Sequence, residues 1–183
     1  MDHYIDITLK PDAELRENVL RNMAYSKLHK VLFDLESSAI GVSFPAFQVK
    51  LGNRIRLHGS QAALMQLHAL NWLGGLTSYC HVTAVQSVPN QVRYRVIFRV
   101  QSTMTQAKLN RLIKRGSIEP EKVREYKAKM FSKGLDNPYL ELESTSNGHK
   151  HRRYIAFGEF LTTPVHGVFD HFGLSKQATI PWF

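Results

Sequence analysis

The sequence predicts an α+β protein with an N-terminal ferredoxin-like βαββαβ domain over residues 1–90 and a β-rich C-terminal domain over residues 91–183 that bears a basic helix. Strand-like alternation and helix-like periodicity follow one another in the order βαββαβ in the first half. The second half has short β-rich runs around one strongly basic helical segment. With 183 residues, 43% of them hydrophobic, the chain can bury a core of its own.

The first strand and the first helix have clear patterns. Ile5, Ile7 and Leu9 alternate with polar residues, which indicates a half-buried strand. Apolar residues at helical spacing then predict a long amphipathic helix over 13–36, with Asp12 as its N-cap. This stripe consists of Leu15, Val19, Leu20, Met23, Leu28, Val31, Leu32 and Leu35.

The remaining elements of the first half are shorter. Strands are predicted at 40–44 and 54–58, and Ser60 is expected to cap a helix that reaches about Leu70. A β-rich run over 79–88 completes the order, and the domain boundary is expected near Pro89 to Gln91.

The second half is predicted to open with a strand over 93–101. One face would carry Tyr94, Val96, Phe98 and Val100, and the other Arg93, Arg95, Ile97, Arg99 and Gln101. A helix over 105–115 would turn Leu109, Leu112 and Ile113 inward and end at Gly116. A third helix is expected from Glu119-Pro120-Glu121, and strands near 139–144, 151–157 and 167–172.

The charge is concentrated in the second half. Residues 1–90 have a net charge of +1, whereas residues 91–183 have +8. A basic excess confined to one region is typical of a protein that binds a polyanion, so nucleic acid is the expected class of partner. The segment 93–129 has eleven Lys and Arg against three acids, which is more one-sided than an ordinary solvated helix face, the alternative interpretation. No segment fits the aromatic signature of an RNA recognition motif.

Composition excludes other classes. No apolar run approaches the ~18 residues of a membrane span, and the N-terminal residues lack a signal-peptide pattern, so we expect a cytoplasmic protein without membrane contact. The single Cys80 cannot form an internal disulfide or a paired-cysteine metal site.

His29 is a candidate for proton transfer. It lies at the edge of the apolar stripe of the long helix, where a helix side borders a cleft, and imidazole can accept a proton near neutral pH. A partly exposed boundary histidine is the alternative.

The segment from Ser144 to Arg153 is a second candidate site. Its hydroxyls, Gly turn and following cations, including His151 and Arg152, suit a phosphodiester site, where donors orient a nucleophile and cover negative charge. A polar hairpin turn is the alternative. His149 and His151 have no carboxylate or Cys at a recognisable metal spacing, so we expect neither a metal ion nor another cofactor.

Together, several segments resemble the type I-F CRISPR repeat-processing endoribonucleases, from end to end of the chain. They are Met1 to Ile7, Lys27-Leu28-His29-Lys30, Ile40 to Pro45, Arg99-Val100-Gln101, Gly173-Leu174-Ser175-Lys176 and Pro181-Trp182-Phe183. Their joint order and spacing carry the resemblance.

The resemblance implies an RNA-processing enzyme. Its C-terminal domain would hold a CRISPR-repeat RNA hairpin, and cleavage at the 3′ base of the stem would need no metal. The ribose 2′-OH would attack the scissile phosphate, leaving a 2′,3′-cyclic phosphate and a 5′-OH. The implied partners are precursor and mature CRISPR RNA and other type I-F effector subunits, and the free protein would be a monomer.

The resemblance also implies roles for residues. His29 would be the catalytic histidine, Ser144 would hold the attacking 2′-OH, and Ser146 is the second serine of that turn. Arg99 and Gln101 would read base edges at the foot of the stem. The helix over 105–115 would lie in the RNA major groove and contact phosphates through Lys108, Arg111, Lys114 and Arg115.

Three positions depart from the family pattern. Leu112 stands where an arginine is expected, Phe172 where the best-known member has an active-site tyrosine, and His151 where an aromatic residue stacks beneath the hairpin. Two alternatives remain: a catalytically weak hairpin-binding subunit of the effector complex, and a basic ferredoxin-like ribosomal or DNA-binding protein.

Overall fold

The computed structural model describes residues 1–101, 106–132, 136–143 and 148–183, without the side chains of residues 131 and 132. The chain divides into two compact units, one formed by Met1–Arg99 with Pro138–Phe183 and the other by Val100–Asn137. The division into residues 1–90 and 91–183 stays a prediction.

Four helices, one 3₁₀ helix and ten strands occur in the described residues. The first unit contains, in chain order, β1 (His3–Leu9), α1 (Glu17–Asp34), β2 (Gly41–Ser43), β3 (Arg54–Gly59), α2 (Gln61–Ala69), a 3₁₀ helix (Gly74–Tyr79), β4 (Cys80–Val82), β5 (Gln86–Ser87), β6 (Arg93–Arg95) and β7 (Ile97–Val100), whose last residue belongs to the second unit. After the second unit come β8 (Tyr139–Glu143), β9 (Lys150–Phe157) and β10 (Ile180–Trp182).

The main sheet has the order β2-β3-β1-β4, with neighbours antiparallel, and β5 also pairs with β1. Ile5 is opposite Leu57 and Ile7 is opposite Ile55, so alternate residues of both strands enter the core. The buried face of α1 contributes Leu20, Arg21, Ala24, Tyr25, Leu28, Val31 and Leu32.

The start of α1 differs from the prediction. The helix begins at Glu17 after Arg16, which makes no side-chain cap. The Oδ1 atom of Asp12 instead accepts hydrogen bonds from the backbone N–H groups of Glu14 (2.9 Å) and Leu15 (2.7 Å). Asp12 therefore closes a separate turn before the helix, because a short carboxylate bonds equally well to the N–H groups of a turn.

The predicted strand over 93–101 is two strands. β6 pairs with β10, whereas β7 belongs to a second sheet with the order β7-β9-β8. Between them the carbonyl of Val96 accepts a hydrogen bond from Gly158 (2.9 Å). In β7 the buried residue is Ile97, which shares its face with Arg99, whereas Phe98 on the other face is only half-buried.

Residues 167–172 do not form the predicted strand. The Oδ1 atom of Asp170 accepts hydrogen bonds from the N–H groups of Phe172 and Leu174, both at 2.9 Å. Gly173 has φ +68° and its N–H donates to the Asp170 carbonyl at 2.8 Å. These bonds close a turn, here called the Asp170 turn (residues 170–174), because they take up the N–H groups that a strand would offer to a neighbour.

The second unit contains α3 (Gln106–Lys114) and α4 (Pro120–Ser132). α3 buries Leu109, while Ile113 is half exposed rather than inward. The N–H groups of Gly116 and Ser117 bond to the carbonyls of Ile113 and Leu112, and Gly116 has φ +65°, so the helix ends at the predicted glycine.

The mixed α+β class with antiparallel sheets is confirmed. The ferredoxin-like assignment stays a prediction. In the part of the chain that the structure describes, no helix is both long and apolar enough to cross a bilayer.

Candidate active site and basic helix

His29 lies on α1 with its ring half-buried, as its position at the edge of the apolar stripe predicts. Its Nδ1 atom is 3.0 Å from the carbonyl oxygen of His171 in the Asp170 turn. Because a carbonyl oxygen only accepts hydrogen bonds, Nδ1 carries the hydrogen in the neutral ring. The lone pair is therefore on Nε2, the atom that can accept a proton from a substrate.

The phenyl ring of Phe172 covers one face of this imidazole. The two ring centres are 3.5 Å apart and the planes differ by 13°. The backbone of Phe172 is held at both ends of the residue: its N–H donates to Asp170, and its carbonyl accepts from the buried Tyr25 hydroxyl at 2.5 Å. Phe172 therefore restricts the imidazole by contact, without a hydroxyl of its own.

The Asp170 turn is anchored to the main sheet. The N–H of Val42 in β2 donates to the Gly173 carbonyl at 2.9 Å. A Cβ atom at position 173 would lie 2.2 Å from Val42 Cγ2, so only glycine permits this approach. The close packing gives the His171 carbonyl and the Phe172 ring defined positions.

The guanidinium of Arg153 lies against the same phenyl ring, with Cζ 3.3 Å from the ring centre. Two planar groups this near the centre do not fit on one face, so Arg153 and His29 occupy opposite faces of Phe172. Arg153 is 6% exposed, and within the described residues its Nε atom has no hydrogen-bond partner. We call His29, Phe172, Arg153 and the His171 carbonyl the His29 cluster.

The electrostatics of the cluster favour a neutral imidazole. Burial lowers the pKa of His29 below its usual value, and electrostatic interactions with Arg153 and His171 act in the same direction. The hydrogen bond to the His171 carbonyl and the charge of Asp170 act in the opposite direction. Since the net direction is downward, His29 is largely unprotonated and ready to accept a proton at neutral pH.

Other predicted residues have different surroundings. Arg99 is half-buried in β7, and its Nε atom is buried without a hydrogen-bond partner in the described part of the chain. Its charge is close enough to lower the pKa of Arg153, after the larger effect of burial. Gln101 follows β7 and is exposed.

His151 and Arg152 are both exposed on β9, but they point to opposite faces of the strand. Arg152 lies over the ring of Tyr139 at 4.4 Å and is 3.9 Å from the carboxylate of Glu141. Arg152 is therefore on the face opposite Arg153, outside the His29 cluster. Ser144 and Ser146 lie outside the described residues.

The cations of α3 and Arg115, the residue that follows it, lie together on one side of the helix. At ~100° per residue, Lys108, Arg111, Lys114 and Arg115 span about a third of the helix circumference. All four are exposed, and α3 contains no acidic residue. In α4, by contrast, Lys122 and Lys129 form ion pairs with Glu119 and Glu125. Acidic residues therefore pair with lysines of α4, whereas the sequence of α3 has no acidic residue.

The sequence reasoning included Arg153 among the cations of the second candidate segment but did not place it beside His29, and it missed the carbonyl of His171. Strand alternation in β9 could have separated Arg153 from its exposed neighbour Arg152, but it gives no sign of a contact with residue 172. A backbone carbonyl leaves no signal in the residue types. Among the described residues, no group of three His, Cys, Asp or Glu side chains is arranged to hold a metal ion.

Comparison with solved structures finds distant similarity. A CRISPR endoribonuclease Cse3 bound to a 19-nucleotide RNA aligns with 99% of this chain and 100% of that chain, at 14% identity and a TM-score of 0.37. The Thermus thermophilus Cse3 bound to an RNA that represents a pre-cleavage complex aligns over the same shares, at 10% identity and a TM-score of 0.34.

Comparison of sequences finds closer relatives. The family CRISPR-associated protein (Cas_Csy4) matches residues 4–183. The CRISPR-associated endonuclease Cas6/Csy4 of Escherichia coli (strain UTI89 / UPEC) is 41% identical over 184 residues, and that of Pseudomonas aeruginosa (strain UCBPP-PA14) is 36% identical over 187 residues. Both alignments cover 100% of this chain and of the relative.

Proposed function

The chain belongs to the Cas_Csy4 family of CRISPR-associated proteins, and from this premise we propose that it is an endoribonuclease that matures CRISPR RNA. Its substrate is the stem-loop of the repeat in precursor CRISPR RNA. It cuts at the 3′ base of the stem, needs no metal ion and stays bound to the product hairpin, through which it joins the other effector subunits.

The observation that carries the proposal is the contact between His29 Nδ1 and the His171 carbonyl (3.0 Å). It leaves Nε2 as a proton acceptor, and burial keeps the pKa of His29 below its usual value. A base of this kind can remove the proton of a ribose 2′-OH at neutral pH.

The proposed reaction is an internal displacement. The 2′-oxygen bonds to the adjacent phosphorus as its proton passes to Nε2 of His29, and the bond between phosphorus and the 5′-oxygen breaks. The products are a 2′,3′-cyclic phosphate and a 5′-oxygen that takes up a proton to become a hydroxyl. Because the nucleophile is already next to the phosphate, the protein mainly has to align and deprotonate it. We assign the alignment to Ser144, with Ser146 beside it in sequence.

The absence of acids from α3 supports hairpin binding through that helix. Exposed cations on a helix that has no acidic residue of its own can neutralise phosphates, and each such contact releases counterions from the RNA. We assign phosphate contacts to Lys108, Arg111, Lys114 and Arg115. Base contacts at the foot of the stem are assigned to Arg99 and Gln101, and further RNA contacts to His151 and Arg152.

Two substrates test the proposal. The protein is incubated in EDTA with a CRISPR-repeat hairpin and with the same hairpin carrying a 2′-deoxyribose at the nucleotide upstream of the scissile bond. We expect cleavage of the first to a 2′,3′-cyclic phosphate and binding without cleavage of the second. Cleavage of the deoxy substrate would indicate attack by water and overturn the mechanism. Bound but intact ribose hairpin would assign the chain to the hairpin-binding subunits without activity.

A further inference from the structure

We propose that Arg153 is a positioning residue for His29 that acts through Phe172. Its guanidinium presses the phenyl ring against the imidazole and holds a positive charge behind the ring, which favours the unprotonated imidazole. The inference rests on the proposed function, since it gives His29 the role of base.

The geometry is a three-layer stack. Arg153 Cζ and the centre of the imidazole of His29 lie 3.3 Å and 3.5 Å from the centre of the Phe172 ring, on its opposite faces. The ring is thus held on both sides, and it cannot rotate about its χ1 bond without losing both contacts. A guanidinium on a phenyl face is attracted by the ring quadrupole, and more strongly where both groups are desolvated.

Arg153 has no competing anchor within the described residues. It is 6% exposed, it forms none of the ion pairs found there, and its Nε atom lacks a hydrogen-bond partner. A buried guanidinium that forms no ion pair is unfavourable for stability: burial and the charge of Arg99 lower the pKa of Arg153, and the smaller effects of Tyr25 and Asp170 act in the opposite direction. Such a residue at the centre of a catalytic cluster is better explained by its effect on the cluster than by stabilisation of the fold.

The strand gives Arg153 a defined position. It lies in β9 opposite Leu140 of β8, a residue with no exposed surface. Phe172 comes from the Asp170 turn, and His29 comes from α1. The stack therefore joins three elements far apart in sequence, each of which is held by contacts of its own.

The charges around His29 support the direction of the effect. Arg153 and His171 disfavour protonation of the imidazole and Asp170 favours it. On α1 itself, Lys30 and Asp34 bond to each other at 2.9 Å. Across the ring, a unit charge at roughly 7 Å is near enough to change a titration, since such interactions are only partly screened away from bulk water. The lowered pKa of His29 agrees with this balance.

The test compares Arg153→Met with Arg153→Lys and with Arg152→Met as the matched control. Arg152 is the adjacent arginine on the opposite, exposed face of the same strand. The first measurement is the NMR titration of His29 in the RNA-free protein with labelled histidine. The second is the pH dependence of single-turnover hairpin cleavage.

We expect Arg153→Met to raise the pKa of His29 and to move the acidic limb of the cleavage profile to higher pH. At pH 5.5 its rate, relative to its own plateau, should fall by roughly 2- to 10-fold more than that of the wild type. Arg153→Lys should keep the titration near that of the wild type but lower the plateau rate, because a point charge remains while the planar contact is lost. Arg152→Met should leave the His29 titration in the RNA-free protein unchanged; only this measurement uses the control, because Arg152 is assigned an RNA contact.

An unchanged His29 titration in folded Arg153→Met would overturn the inference, as would a wild-type His29 that titrates at or above the ordinary histidine value, a result that needs no variant. A protein with the expected titrations but no cleavage would refute the proposed function instead. Equal loss of plateau rate in both Arg153 variants without any change in titration would reduce Arg153 to a packing role and overturn the inference.

Discussion

The carbonyl of His171 lies 3.0 Å from the Nδ1 atom of His29, so a backbone group determines which nitrogen of this side chain can act as a base. A substitution at position 171 keeps the carbonyl, whereas a displacement of the Asp170 turn moves it. The chemistry of His29 thus depends on the turn that follows Asp170 as well as on α1.

His29→Ala should abolish cleavage and leave hairpin affinity nearly unchanged. A proton-transfer residue contributes about 10²- to 10⁴-fold to the rate and little to binding of the ground state. Single-turnover cleavage and a binding titration with the same labelled hairpin measure the two effects. His68→Ala, which alters an exposed histidine of α2, is the control and should cleave normally. Cleavage by His29→Ala at the wild-type rate would exclude His29 as the base.

Replacement of Lys108, Arg111, Lys114 and Arg115 by Gln should weaken hairpin binding and flatten its salt dependence. Each lost phosphate contact lowers the slope of log K against log salt by about 0.7 to 0.9. Dissociation constants measured at several salt concentrations give this slope. An unchanged slope would make the helix an ordinary solvated face.

A matched control comes from α4. Replacing Lys122, Arg124, Lys127 and Lys129 by Gln changes the net charge by the same amount, but Lys122 and Lys129 already pair with Glu119 and Glu125. The slope should therefore change less than in the α3 variant. Equal changes would show that only net charge matters.

The sequence predicted elements with strong periodicity better than their ends. The stripe of α1 identified a helix that buries Leu20, Leu28 and Leu32 and leaves His29 at the edge. It did not reveal that Asp12 bonds within its own turn, because the same carboxylate serves a turn or a helix start. The residues of 167–172 look strand-like, yet the Asp170 carboxylate accepts hydrogen bonds from the N–H groups of Phe172 and Leu174. These two N–H groups therefore cannot pair with a neighbouring strand.

The candidate site was only partly predictable for a related reason. The sequence analysis named His29 because imidazole can transfer protons, and it named Phe172 because that position departs from the family pattern. Their stacking depends on how α1 packs against the Asp170 turn, which no local pattern reports. In the sequence Arg153 is one of several consecutive cations, and nothing there distinguishes it from them. Its burial beside the site becomes visible only through its position opposite Leu140 of β8 and its contact with Phe172 of the Asp170 turn.

Arg99→Ala and Gln101→Ala should lose discrimination at the foot of the stem. By analogy with bidentate base contacts in DNA, each loss should be about 1 to 3 kcal/mol. Competition binding with hairpins altered at the foot of the stem or in the loop measures it, and thermal unfolding controls for the half-buried position of Arg99. Uniform weakening over all hairpins would reassign both residues to the RNA backbone.

Gly173→Ala should destabilise the protein by about 1 to 3 kcal/mol and slow cleavage. The added Cβ would lie 2.2 Å from Val42 Cγ2 at a residue with φ +68°, so the Asp170 turn must shift and move Phe172 and the His171 carbonyl. Gly116→Ala is the control: φ is +65°, but no atom of the described residues lies within 4 Å of the added Cβ. Urea unfolding measures the loss of stability, and single-turnover cleavage measures the loss of rate. Equal losses in Gly173→Ala and Gly116→Ala would mean that backbone strain alone, and not the contact with Val42, causes them.

His58 should make the free energy of unfolding depend on pH. It is fully buried in β3, with Nε2 2.8 Å from the Ser43 hydroxyl oxygen. Burial, with a further contribution from the charge of Arg56, lowers its pKa from 6.5 to about 3. In the unfolded chain the ring takes up a proton near its ordinary pKa, so below about pH 6.5 the unfolded state binds more protons than the folded state.

The contribution of His58 to the free energy of unfolding is therefore fully present above about pH 6.5. It declines by about 1.4 kcal/mol per pH unit as the pH falls toward 3. His58→Gln has no titrating ring, so the stability difference between wild type and variant should narrow on acidification. Urea unfolding at pH 7.0, 6.0, 5.0 and 4.5 measures it, while His68→Gln, at an exposed histidine, should follow the wild type. A difference between wild type and His58→Gln that stays constant over this range would mean that the folded protein protonates His58 as readily as the unfolded chain does.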